Sequence, residues 1–143
     1  MGFIALATIA LCLWVRLAPS DTAIWHVAID APTPAKPGPC IDQIRTKPNG
    51  ARATCLLEDD PATVLAKLDS IALATPRTTL LAATDGMTTW VTRSKLMGFP
   101  DYTTAQVRAD AQGTRLDIHA RQRFGSNDLG INAARLKAWL TGL

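Results

Sequence analysis

The stretch Tyr102–Arg123, YTTAQVRADAQGTRLDIHARQR, decides the fold. Its second half alternates: Leu116, Ile118 and Ala120 point one way, while Arg115, Asp117, His119, Arg121 and Arg123 point the other. That is a strand with one core face and one polar face. Ala111-Gln112-Gly113 separates it from a similar run, so Tyr102 to Asp110 and Thr114 to Arg123 read as a hairpin. Upstream, Thr78 to Ala83 and Met87 to about Lys95 flank Asp85-Gly86, the strongest turn signal in the chain and the mark of another hairpin. Between the hairpins lies Gly98-Phe99-Pro100-Asp101, where a proline implies a bulge, a corner or a strand end.

Further out, Ala51 to Leu57 (ARATCLL) is a candidate first strand. Asp60-Pro61 reads as the N-cap and first residue of a helix with Val64, Leu65, Leu68, Ile71 and Ala72 on its apolar stripe. A closing helix is expected from about Asp128 to Leu140, with Leu129, Ala133, Leu136, Leu140 and Leu143 facing the core. The predicted order is β-α-β-β-β-β-α: an α+β domain over residues 40–143, its antiparallel sheet of about five strands covered by two helices.

The chain has 143 residues, too few for a Rossmann enzyme, a protein kinase or a (β/α)8 barrel. Its mean hydropathy of +0.10 is high for a soluble domain. The excess comes from Gly2 to Val15, GFIALATIALCLWV, which carries no charge. Fourteen helical residues rise about 21 Å, short of a hydrocarbon core of about 30 Å. Counting through Ala18, with the Arg16 stem snorkelling, reaches the lower limit for a span. Residues 1–18 are therefore expected to form a single N-terminal transmembrane helix, held in membrane lipid through residues 2–18. A cleaved signal peptide and a soluble helix are the competing readings. Against cleavage, a basic leading region is missing, and Arg16-Leu17-Ala18 spoils the obvious site.

Residues 19–39 read as a juxtamembrane segment followed by a proline-rich linker, APTPAKPGP at 31–39. Ile24, Trp25, Val27 and Ile29 of that segment either pack back on the domain or lie at the lipid surface. Arg16 alone favours a cytoplasmic domain, whereas the absence of Lys and Arg from Leu17 to Ala35 is compatible with export. Cys40 and Cys55 would form a disulfide in an oxidising compartment and remain thiols in a reducing one. The expected location is the inner membrane, single pass, with the domain on the periplasmic side.

Chemistry concentrates in Arg121–Arg135, RQRFGSNDLGINAAR. Asp128, Asn132 and Arg135 fall on one helical face, distinct from the leucine stripe, and strand arginines lead into it. Three roles fit. Arg121, Arg123, Asp128, Asn132 and Arg135 could form a polar clasp between helix and sheet. The arginines could converge on an anion near a helix N-terminus. The patch could also be a protein-contact surface.

The same residues resemble the DUF1499 family. The similarity lies in Gly98-Phe99-Pro100-Asp101-Tyr102 and in Arg121-x-Arg123-Phe124-Gly125-x-x-Asp128-Leu129-Gly130-x-Asn132-x-x-Arg135, followed by a Trp-Leu ending. It covers Cys40 to Leu143, departing modestly at Gln122 and Phe124. The resemblance implies a small protein of bacterial envelopes behind an N-terminal hydrophobic segment, and it implies no reaction. Phe99, Pro100, Asp101, Gly125 and Gly130 are then motif residues with structural roles.

Other chemistries find little support. Ser126, His119 and Asp101 or Asp128 might suggest a triad, but a GxSxG elbow is missing. The cysteine and histidine spacing does not suit zinc, and neither a metal nor a cofactor is expected. Net charge is +3, and without the Arg16 segment 14 basic side chains face 12 acidic ones, scattered and with few aromatics between them. That is not a nucleic-acid platform. The expected function is a membrane-anchored, non-enzymatic accessory or interaction protein of the bacterial cell envelope, contacting or belonging to an inner-membrane protein complex. The alternative is a binding module for a small anionic ligand or lipid head group in an arginine-lined pocket.

Overall fold

The computed structural model describes residues 2–30 and 33–143, with side chains from Ile4 onward. Ala31 and Pro32 of the linker and Met1 of the expected anchor lie outside the described residues. In chain order the elements are α1 (Gly2–Leu17), α2 (Thr22–Trp25), a 3-10 turn (Cys40–Gln43), β1 (Arg45–Lys47), β2 (Gly50–Leu57) and α3 (Pro61–Ala74). There follow β3 (Thr78–Thr84), β4 (Met87–Arg93), β5 (Pro100–Asp110), β6 (Gly113–Gln122) and α4 (Ile131–Thr141). The strands form one antiparallel sheet in the order β1-β2-β6-β5-β4-β3.

The class is α+β as expected, but the sheet has six strands rather than five. The extra one, β1, is Arg-Thr-Lys with all three residues exposed. Without a buried face it has no alternation of hydrophobicity, and backbone pairing with β2 alone defines it. Both predicted hairpins form. The β3–β4 turn is Asp85-Gly86, where Gly86 adopts φ 71°, and the Gly98–Pro100 corner divides β4 from β5.

The core lies between one sheet face and the helices α3 and α4. Val64, Leu68 and Ala72 of α3 and Leu136, Trp139 and Leu140 of α4 bury against Ala51, Ala53, Leu116, Ile118 and Ala120. Trp90 and Trp139 meet edge to face at 5.5 Å. Each buried indole keeps a hydrogen-bond partner: Trp90 Nε1 donates to Asp69 at 2.8 Å and Trp139 Nε1 to Thr75 Oγ1 at 2.9 Å. Asp60 caps α3, its carboxylate accepting from the Thr63 amide.

The closing helix begins at Ile131, later than expected. Gly130 occupies its N-cap position in the left-handed region (φ 80°), and Leu129 shares that conformation at φ 53°. The turn rotates Leu129 outward to 86% exposure, so Leu129 does not join the apolar stripe.

Cys40 and Cys55 are joined as a disulfide that ties the 3-10 turn to β2 in the core. With its ends 15 positions apart in the chain, the closed loop contributes about 3 kcal/mol. Reduction is expected to lower the midpoint of thermal unfolding by roughly 10 °C. Identical melts with and without dithiothreitol would refute that contribution.

The N-terminal expectation needs correction. No helix among the described residues is long and apolar enough to cross a membrane. α1 has 16 residues, a rise of about 24 Å. The sequence count reached its lower limit only by running through Ala18. Val15 and Ala18 instead bury against the domain, and Arg16 Nη2 donates to the Leu96 carbonyl at 3.0 Å. Val15 and Arg16 in the last turn of α1 are thus committed to protein rather than lipid, while Trp14 and Leu17 stay exposed.

Candidate functional site

The predicted constellation divides into two clusters on opposite faces of the sheet. On the helical face, the Asp128 carboxylate accepts from the Gly130 and Asn132 amides, each at 3.0 Å, and so caps α4 from two residues before its N-cap. Gly130 supplies the turn that brings those amides round. Arg135, one turn further along α4, donates to Asn132 Oδ1 and reaches Asp101 Oδ2 at 3.2 Å. Asp101 stands at the start of β5, directly after Pro100. Both side chains of this ion pair are largely buried, at 9% exposed for Arg135 and 16% for Asp101. Burial raises the Asp101 carboxyl above its ordinary value, with Arg135 pulling against it. Asn132 is fully buried, and its Nδ2 lacks a partner among the described residues.

Arg121 and Arg123 lie on the other face, which the helices leave open. There the chain from Pro19 to Asp30 crosses the sheet as a strap. Trp25 stacks on Tyr102 with ring centroids 3.9 Å apart and planes within 10°. The Arg121 guanidinium lies over the Trp25 ring, 5.1 Å from its centroid, and its Nη2 donates to the Trp25 carbonyl at 2.6 Å. Arg123 Nη1 donates to the Pro19 carbonyl at 2.7 Å, and the Tyr102 hydroxyl meets Ser20 Oγ at 2.8 Å. Further along, the His26 ring bridges Thr89 and Thr84, and the Ile29 amide donates to Gln106 Oε1 at 2.8 Å. Ile24 and Val27 remain exposed, so the segment packs back mainly through Trp25.

The three arginines of the expected anion pocket therefore do not converge. Arg121 and Arg123 hold strap carbonyls on the open face, while Arg135 holds Asp101 on the helical face. Of the expected clasp, Asp128, Asn132 and Arg135 come together with Asp101 on the helical face, while Arg121 and Arg123 stand apart and hold the strap. Phe99 and Gly125 frame the junction between them. Phe124 contacts Trp14 of α1 at 5.6 Å and lies 6.0 Å from Phe99, and Gly125 takes φ 97° to turn the chain from β6 toward α4.

Sequence reasoning missed a second polar group on the open face. Asp117, whose side chain is 1% exposed, accepts from Arg108 at 2.7 Å, Arg115 Nε at 2.9 Å and Thr54 Oγ1 at 2.7 Å. The alternation of β6 had put Asp117 and Arg115 on one face. Arg108 and Thr54 arrive from neighbouring strands, and strand register does not show in the sequence. His119, next along β6, is pushed down to about 3 by burial and by the charges of Arg52, Arg121 and Lys47. It is neutral at every physiological pH, and Ser126 of the weighed triad is exposed.

No curated protein matches the chain at a significant level. The family model described as protein of unknown function (DUF1499) matches residues 31–143. That interval holds every strand, both core helices and the cluster of Asp101, Asp128, Asn132 and Arg135, and the chain belongs to the DUF1499 family.

Proposed function

We propose that the protein is a membrane-tethered, non-enzymatic accessory protein of the bacterial cell envelope, its domain on the periplasmic side and in contact with an inner-membrane protein complex. The observation that carries this reading is the uncovered surface of α1. Ile4, Leu6, Ile9, Leu11, Leu13, Trp14 and Leu17 are all more than half exposed, and no charge occurs before Arg16. An apolar surface of that size needs a lipid or protein cover. The strap gives it a further meaning. Bonds to Pro19, Ser20, Trp25 and His26 hold the domain close to the helix, so a partner in the membrane would meet a fixed surface. The Cys40–Cys55 disulfide supports the oxidising side of the membrane.

The full chain should stay with membranes through an alkaline carbonate wash, and Leu6→Asp with Ile9→Asp should release it. Release of the unaltered chain by the same wash would defeat the tether. Native purification in mild detergent should give an assembly larger than one chain, and a solitary monomer would remove the partner. A reporter that works only in the periplasm, fused after Leu143, should be active.

A further inference from the structure

The open face carries one charge pattern that neither the strap nor the clasp neutralises. Cross-strand pairing sets Arg45, Arg52 and His119 in one row and Lys47, Gly50 and Arg121 in the next. Neither row contains a carboxylate. Directly opposed side chains on antiparallel strands lie close enough for like charges such as Arg45 and Arg52 to destabilise the pairing. The row beyond shows the usual remedy, since Asp117 neutralises Arg108 and Arg115. Among the described residues, Lys36, Arg45, Lys47 and Arg52 form no ion pair. Arg52 Nε is buried and has no hydrogen-bond partner there, a state that costs free energy while it lasts.

These cations share a cleft. Residues 33–36, the 3-10 turn and the β1–β2 hairpin enclose a cavity of about 480 Å³ lined by Lys36, Arg45, Lys47 and Arg52, with Asp30 and Asp42 also in its wall. Four cations against two carboxylates leave the cleft electropositive. Burial first, and then the charges of Arg52, Arg121 and Lys47, hold the neighbouring His119 neutral. The volume lies within the range of small-molecule sites and exceeds what a lone inorganic ion would fill.

We propose that this cleft binds a phosphate ester. Arg52 and Arg45 bind the phosphoryl oxygens through their guanidinium forks, Lys36 and Lys47 add charge, and the organic part of the ligand occupies the remaining volume. The phosphoryl group belongs either to a soluble metabolite or to an anionic lipid head group; both offer the same oxygens. The site requires neither the tether nor a protein partner, so it stands or falls separately from the function proposed above.

The test uses the full chain in a phosphate-free maltoside detergent, titrated calorimetrically with glycerol 3-phosphate. Saturable binding is expected, weakened at least tenfold in Arg52→Gln and severalfold in Lys47→Gln. Lys47 is exposed on the short edge strand, so that variant keeps the test valid should Arg52→Gln fail to fold. Arg77→Gln, at the far edge of the sheet beside β3, should bind as the unaltered chain does. The titration is then repeated in nanodiscs of neutral lipid with and without phosphatidylglycerol. Competition by phosphatidylglycerol assigns the site to a head group, and unchanged affinity assigns it to a soluble ester. Absence of saturable binding in detergent, or binding unchanged in both Arg52→Gln and Lys47→Gln, would overturn the proposal.

Discussion

Arg135→Ala is expected to destabilise the domain by about 3–5 kcal/mol at neutral pH, because it leaves the Asp101 carboxylate buried without its counter-charge. The loss should shrink on acidification. In the intact protein, burial already holds the Asp101 carboxyl above its ordinary value, and Arg135 opposes the rise. Without Arg135 the rise is unopposed, and folded Asp101 takes up its proton at a higher pH than unfolded Asp101. A group raised in this way favours the folded state when protonated. Its contribution is complete below the unfolded value of about 3.9 and is lost as pH rises through the folded one. The variant is therefore at its worst near pH 7 and recovers as pH falls toward 4. Urea unfolding at pH 7 and pH 4.5 measures the difference. A deficit equal at both values would mean that the Asp101 charge is not what Arg135 holds. Adding Asp101→Asn should recover part of the loss at pH 7, because the buried group can then no longer ionise.

Asp117→Ala is the second large effect, again about 3–5 kcal/mol at neutral pH. The cost falls mainly on Arg115, whose side chain is 16% exposed and loses its carboxylate. Arg108, about half exposed, can turn to water. The pH dependence runs opposite to that of the clasp. Burial by itself would raise the Asp117 carboxyl, but hydrogen bonds from Arg115, Thr54 and Arg108 overcome it and hold the group below its ordinary value. A lowered carboxyl contributes stability above the unfolded value of about 3.9 and loses it as pH falls through the folded one. The intact protein should lose this contribution below about pH 4, while Asp117→Ala shows no such loss from that site. Melting temperatures between pH 2.5 and 7 decide it; parallel curves for the two proteins would refute the assignment. Asp117→Asn keeps the shape and one acceptor oxygen, and should fall between them.

Much of the fold was legible because its signals are local. Asp60-Pro61 starts a helix through one side chain and one fixed dihedral, and Asp85-Gly86 turns a hairpin through a residue that tolerates positive φ. The alternation of Leu116, Ile118 and Ala120 separates the two faces of the sheet within a single strand. The errors were also local in origin. β1 was missed because Arg45-Thr46-Lys47 buries nothing, and Leu129 was assigned to the core because its apolar side chain matched the spacing. The left-handed Leu129-Gly130 turn, which rotates it outward, leaves no mark in hydrophobic periodicity.

The N-terminal apolar segment shows the same limit. An apolar run of fourteen residues is plain in the sequence, and it does form a helix. Its final turn could be counted toward a bilayer only until the domain was seen to take Val15, Arg16 and Ala18 for itself.

The candidate site divides along similar lines. By itself the sequence determined which residues around the last helix carry polar chemistry and that Arg121 and Arg135 belong to separate elements. Only the tertiary structure decided which of them meet. Strand order brought Asp101 to Arg135, register brought Thr54 and Arg108 to Asp117, and the strap laid Trp25 against Tyr102 and Arg121. It also set Arg45, Lys47 and Arg52 along one cleft without a counter-charge. The physical reason is that a cap or a turn is satisfied within a few residues of chain. Burying a charge, by contrast, draws partners from wherever the sheet and its covering segments bring them.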